Sequence, residues 1–203
     1  MKTLRIIRRN VAAVLCAALC LWAGAGRVAA ATPLPRKTEQ TGLLDYAETL
    51  ALYADRCGAT AEETVRMIGP AARFVQEPCT RVLSVRVDIA PDCRPWLDFY
   101  CDVDTDGHYW AIRSIYAVQL RGADGRRADP FGGTIAVFLR SPYEIEYILN
   151  GDFFKTGAAT QADSALLRIG PGESGTVNFT VSNTSATNHK TYGYGNDRVA
   201  FQA

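Results

Sequence analysis

After Pro78 the apolar residues of this 203-residue chain change from a helical period to a period of two, and they keep it almost to the C-terminus. Successive side chains of a strand point to opposite faces, so such alternation commits the back of the chain to sheets. Val85, Val87 and Ile89 alternate with Ser84, Arg86 and Asp88, which reads as a half-buried strand. Leu97, Phe99, Cys101 and Val103 make the next. His108 to Leu120 places Trp110, Ile112, Tyr116, Val118 and Leu120 on one face of a long strand expected at the centre of its sheet. Beyond a polar, Gly-rich loop from Arg121 to Gly133, Ile135, Val137 and Leu139 resume the alternation. Tyr143 to Leu149 admits two readings. Ser141-Pro142-Tyr143-Glu144 resembles a helix start, yet Tyr143, Ile145, Tyr147 and Leu149 alternate. Asn150-Gly151 follows, a two-residue hairpin signal, so the strand reading with a turn there is preferred.

The front of the chain is helical. Leu43, Leu44, Ala47, Leu50, Ala51 and Ala54 recur at helical spacing between Thr41 and Cys57, and Gly58 can end that helix. Thr60-Ala61-Glu62-Glu63 forms a capping box that opens a second helix, and Gly69-Pro70 breaks or kinks it. The expected class is α+β, mainly β. Two N-terminal helices, within 41–77, pack on a largely antiparallel system over 82–203, either a sandwich or a strongly curved sheet. Residues 41–203 form a single domain, which is long enough to bury a sizeable core.

Ahead of that domain stands a three-part leader. Met1 to Asn10 carries Lys2, Arg5, Arg8 and Arg9 without an acid, Val11 to Ala25 is almost wholly apolar, and Val28-Ala29-Ala30 offers a peptidase small residues. Residues 1–30 read as a cleaved secretory signal peptide and 31–40 as a polar, Pro-containing lead-in. The apolar run falls short of the ~20 residues needed to span a bilayer, so the chain is expected in the periplasm or the medium, without an integral membrane segment after cleavage. Removing the five basic residues of the leader from the chain's 22 leaves 17 against 21 acidic ones, a net charge of −4. That balance, with no Lys/Arg cluster, argues against nucleic acid, whose binding rests on phosphate neutralisation.

Four cysteines follow the leader: Cys57, Cys79, Cys93 and Cys101. An even number in an exported chain predicts two disulfides. Cys79 with Cys93 is the least favoured pairing, because a strand between them holds its ends about 27 Å apart at ~3.3 Å per residue. Cys57–Cys79 with Cys93–Cys101 is preferred, which staples the helical front to the sheet.

Toward the C-terminus, Ala165 to Ile169 and Thr176 to Ser182 flank the turn Gly170-Pro171-Gly172-Glu173-Ser174-Gly175, and a last strand or pair runs from Lys190 to Phe201. The stretch 167–181 resembles a late hairpin of bacterial immunoglobulin-like β-sandwich modules. The resemblance covers about fifteen residues and implies a sandwich, without a function.

Asp102, Asp104 and Asp106 precede Gly107 at alternate positions, the way calcium loops set oxygen ligands around a hard cation. Arg113 stands where the helix-loop-helix motif needs a bidentate Glu, and the flanks read as strands. The alternatives are a hairpin with solvated aspartates or a nonstandard calcium site drawing on Asp92 or Asp98. No nucleophile elbow, His-Glu-x-x-His or phosphate loop exists in the chain. Glu144 and Glu146 suit a solvated strand face better than glycoside hydrolysis.

What remains is composition suited to recognition. Tyr192-Gly193-Tyr194-Gly195-Asn196, beside His189, reads as an exposed aromatic loop, and Arg126, Arg127 and Phe131 mark a second. The reading is an exported, non-catalytic domain that binds a protein partner: an envelope or secretion-apparatus accessory, or an inhibitor of an exported enzyme. The alternatives are an extracytoplasmic hydrolase using the aspartates with calcium, and a carrier of a small ligand inside the curved sheet.

Overall fold

The computed structural model describes residues 38–70, 79–106, 109–124, 128–162 and 167–201. The expected leader over 1–30, residues 31–37, any continuation of the second helix to 77, and Gly107, His108, Arg126 and Arg127 lie outside the described residues. Among the described residues β1 (Thr38–Gln40) comes first and leads into two helices, α1 (Tyr46–Cys57) and α2 (Ala61–Ile68). Both helices begin in capping boxes. In α1 the Asp45 carboxylate accepts from the Glu48 N–H at 2.8 Å, and Glu48 accepts from the Asp45 N–H at 2.9 Å. Thr60 and Glu63 do the same for α2, as the sequence predicts. Gly58 closes α1 at φ +62°, in the left-handed conformation that a residue without Cβ adopts freely.

The first helix starts later than its apolar spacing suggests, and it buries a different face. Leu44 is in a β-bridge with Thr80, Ala47 and Ala51 are exposed, and Thr49 and Tyr53 are buried instead. A tyrosine removes far more apolar area from water than an alanine does. Thr49 tolerates burial because its hydroxyl donates to the Asp45 carbonyl at 2.7 Å.

Eight further strands follow. β2 (Thr80–Arg86), β3 (Trp96–Asp106) and β4 (Tyr109–Arg121) complete an antiparallel sheet in the order β1-β2-β3-β4. β5 (Phe131–Ser141), β6 (Glu144–Phe154), β7 (Ala159–Ala162), β8 (Ser174–Val181) and β9 (His189–Ala200) form a second antiparallel sheet, in the order β7-β8-β5-β6-β9. Leu83, Val85, Leu97, Phe99, Cys101 and Val118 of the first sheet share one core with Ile135, Val137, Ile145, Tyr147, Leu149 and Phe153 of the second. The other face of the first sheet, through Val82, Tyr100, Tyr116 and Ala117, packs on Tyr53, Met67 and Ile68 of the helices. The domain is therefore layered helices, sheet, sheet. The four-stranded sheet is covered on both faces, so β2 is not half-buried: its Ser84 sits inside with its apolar neighbours, as does Asp98 of β3.

Three local expectations are corrected by this pairing. β4 is an edge strand rather than a central one. Its register against β3 slips twice, between Tyr100 and Cys101 and between Asp102 and Val103. Each bulge adds a residue to β4, so Ile112, Ile115 and Val118 all face the sheet core while Tyr116 faces the helices. No helix starts at Pro142, and Asn150-Gly151 is no turn. β6 runs straight through that pair, and the reversal falls at Pro142-Tyr143. Gly151 is opposite Gly133, where an added Cβ would lie 2.4 Å from the Gly132 carbonyl oxygen and 2.8 Å from the Phe131 ring. The glycine serves a close backbone approach, not a bend. The turn at Gly170-Glu173 separates two sheets: Ile169 bridges Ile115 of β4, whereas β8 lies between β7 and β5.

None of the four cysteines is in a disulfide, which overturns the disulfide staple. Between Trp96 and Cys101 the chain is extended β3, about 16 Å at ~3.3 Å per residue, well past the ~7 Å that a disulfide tolerates. Cys57 sits at the level of Gln119, whose side-chain amide donates to its sulfur, and Gln119 pairs with Asp98. The Cys79 carbonyl instead accepts from Val103, five residues further along β3. Burial pushes the Cys93 thiol up to about 11 and raises Cys101 further, so these sulfurs act as small apolar side chains. Alkylation without reductant is expected to label Cys57, Cys79, Cys93 and Cys101 after unfolding, with partly exposed Cys57 the first of the four to be labelled in the native protein. Peptide mass mapping reads this directly, and labelling of two of the four or of none in the unfolded chain would restore the bridges.

Candidate functional site

Among the described residues no layer covers one broad face of the domain, the outer side of the five-stranded sheet. Its aromatic centre comes from a strict alternation in β9. Gly193 and Gly195 point inward, because Ile89 and Val87, which follow β2, press against that end of the sheet. A Cβ on Gly193 would meet the Phe153 ring at 2.8 Å, and one on Gly195 would meet Val87 at 3.0 Å. Tyr192 and Tyr194 therefore point outward and are 55% and 58% exposed. The sequence reading places them in a loop. They stand instead on a strand paired along its length with β6.

That pairing sets what the tyrosines touch. Tyr194 lies opposite Asn150, Tyr192 opposite Asp152, and His189 opposite Phe154. The Tyr192 hydroxyl donates to the Asn150 side-chain oxygen at 2.7 Å, which fixes the ring against the sheet. His189 Nε2 is 2.9 Å from the Asp152 carboxylate, and its ring meets Phe154 edge-on at 5.9 Å between centroids. Beside this pair opens a groove of about 640 Å³, lined by Gly132, Asp152, Phe154, Thr180, Thr184 and His189. At the opposite end, Glu146 is held between Arg140 at 2.9 Å and Arg198 at 3.0 Å. Hydrogen bonds from these two arginines hold its carboxyl below the ordinary carboxylate value. Glu144 also lies on Arg198, at 3.2 Å. The two glutamates are thus arginine partners and not an acid/base pair.

The other expected site residues are dispersed. Phe131 is 2% exposed and stacks on Phe153 and Phe179 in the core, so it is no part of a binding loop. Asp102, Asp104 and Asp106 lie near the end of β3, where Arg113 from a bulge of β4 reaches both Asp102 and Asp104. The guanidinium answers the repulsion among those acids. Among the described residues no group of three or more His, Cys, Asp or Glu could hold a metal ion. The space between the sheets, where the carrier alternative places a ligand, is filled by side chains such as Phe99, Phe131 and Phe153.

Asp98 is inside the molecule and serves it structurally. Both its oxygens accept from Arg121 Nε, at 2.9 and 3.1 Å, and one accepts from Arg56 of α1 at 2.9 Å. Arg121 also reaches Glu39 at 3.1 Å and stacks over Trp96 at 4.6 Å. This network clamps β1 and α1 onto the sheet. Its sequence signal is an acid between Leu97 and Phe99, inside an apolar run, with Arg121 ending the partner strand.

Among the described residues no helix is long and apolar enough to cross a membrane. Fold and face together define a three-layer α/β/β domain with one open, tyrosine-bearing sheet surface. No family model, no curated protein and no solved structure matches the chain.

Proposed function

We propose that this chain is an exported, non-catalytic domain that binds a protein partner on the open face of its five-stranded sheet. The observation that carries the reading is the pair Tyr192 and Tyr194, exposed on a paired strand with no layer over them among the described residues. Around them lie Thr134, Ile148, Asn150 and Asn196, uncharged and in register. Charge appears only at the ends, as Asp152 with His189 and as Glu146 with Arg198. An aromatic centre with few charges and a polar rim is the anatomy of a protein contact, in which tyrosine supplies rigid area with a hydroxyl handle. The three-part leader supports the export half of the reading.

A photo-cross-linking residue placed at Tyr194 in cells tests the assignment, with one at Glu62 on the exposed side of α2 as control. A single stoichiometric partner captured from position 194 and not from 62 is the expected result. Capture from neither position in the exported fraction would sink the proposal. Once the partner is in hand, Tyr192→Ala and Tyr194→Ala are each expected to weaken binding by about 1–2 kcal/mol. Folding stability should stay within about 0.5 kcal/mol of the parent, as for other surface changes.

A further inference from the structure

A sheet edge presents backbone N–H and C=O groups that seek partners, and proteins blunt the edges they do not use. The four edges here are treated unequally. β1 has three residues and β7 has four. β4 is long, but Ile115 exchanges both backbone hydrogen bonds with Ile169, and Ile112 donates to the Pro142 carbonyl. β9 runs twelve residues without a proline and ends its sheet, pairing on one side only among the described residues. The Phe201 N–H donates to the Tyr143 carbonyl at 2.9 Å, at the position that continues the β6–β9 register, so the odd-numbered residues of β9 bond to β6. That fixes the phase, because in an antiparallel strand alternate residues bond to opposite neighbours. The backbone groups of Tyr192, Tyr194 and Asn196 have the opposite phase and point along the open edge. Among the described residues no other segment's backbone bonds to them.

The side chains along this edge suit a second β9. With two copies antiparallel about Gly195, Gly195 faces Gly195, Tyr194 faces Asn196, and Tyr192 faces Arg198. The first contact removes bulk at the axis, the second pairs a phenol with an amide, and the third sets a guanidinium beside an aromatic ring. Centring the pair on Tyr194 instead would set Lys190 against Arg198, two like charges. Centring it on Asn196 would leave Tyr192 facing Ala200. We propose that two copies of this chain associate through β9, antiparallel about Gly195, joining two five-stranded sheets into one continuous sheet. The contact is isologous and closes on itself. It sets the tyrosines of both copies on one shared outer face.

Sedimentation equilibrium on the purified protein at micromolar concentration tests this, and the expected mass is twice that of one chain. The variant Tyr194→Lys with Asn196→Lys places lysine opposite lysine across the axis and is expected to halve that mass. The variant Tyr194→Lys with Asn196→Glu places lysine opposite glutamate in the same register and is expected to restore the dimer. Both are surface changes, so thermal unfolding of each should match the parent. A parent of single-chain mass overturns the proposal, as does a dilysine variant that stays dimeric or a charge-swapped variant that stays monomeric. The inference does not rest on the partner reading, because mass is measured on the protein alone and the partner is sought by capture in cells.

Discussion

Replacing Asp98 with alanine is expected to destabilise the domain by about 3–5 kcal/mol, the range for breaking a buried ion pair from one side. Asp98 is fully buried, and its two oxygens serve Arg121 and Arg56, whose side chains are 7% and 14% exposed. Without the carboxylate, two guanidinium groups remain in the interior between α1 and the sheet with no anion between them, apart from Glu39 at the edge. For a domain of this size the midpoint of thermal unfolding should drop by roughly 10 °C. Asp98→Asn keeps the shape and one acceptor, so its loss should be smaller. Replacing all three members with Leu and Met should recover most of the stability, because an apolar cluster of equal volume does not carry the desolvation cost of charge. Urea unfolding of the three proteins separates these outcomes. A loss below about 1 kcal/mol for Asp98→Ala, within the range of an exposed pair, would mean that the network is solvated.

Gly151→Ala is the second large effect, and its origin is backbone rather than charge. The added methyl would stand 2.4 Å from the Gly132 carbonyl oxygen, 2.7 Å from the Gly133 Cα and 2.8 Å from the Phe131 ring. The ring has little room to give, since Phe131 is already stacked on Phe153 at 4.9 Å. β5 and β6 must separate locally, and a loss of about 3 kcal/mol is expected, the upper end for overpacked cores. Adding Phe131→Leu should relieve little, because the nearest obstacle is main chain. Gly42→Ala, where nothing lies within 4 Å of the new methyl, is the matching neutral control. If Gly151→Ala unfolds within 1 kcal/mol of the parent, the close approach of these strands does not constrain the fold.

The parts of this architecture legible in the sequence are those set by neighbours along the chain. The Thr60-Glu63 capping box and the Gly58 stop are local chemistry, and both stand where the sequence places them. The alternating runs become strands for the same reason. What the sequence conceals is set by neighbours across space. Asn150-Gly151 carries the signature of a turn, but the glycine answers to Phe131 on the adjacent strand. Tyr192 to Gly195 looks like loop composition, although two of its four residues are small only because Phe153, Ile89 and Val87 lie beneath them. Bulges in β4 invert the face of Tyr116, and nothing local announces a bulge. The cysteines mislead most plainly. Their even number suggests bridges, whereas Cys79, Cys93 and Cys101 are simply buried in the interior and Cys57 lies partly exposed on α1. Of the expected site residues, His189, Tyr192 and Tyr194 meet on one surface, and Asn150 and Asp152 join them through a pairing invisible in one dimension.

Each sheet is also an unbroken stretch of chain: β1 to β4 make the first and β5 to β9 the second, and β4 meets the later half through the Ile115–Ile169 bridge and the Ile112–Pro142 hydrogen bond. A ribosome therefore delivers the whole of one sheet before the other begins. The helices can shield one side of that first half at once, through Tyr53 and Ile68. Its other side, from Leu83 to Val118, stays bare until the second half arrives, and bare apolar strands are what aggregate. The joint between β4 and β5 divides the molecule into an early half that must wait and a late half that relieves it. Synthesis order is thus written into which strands neighbour which.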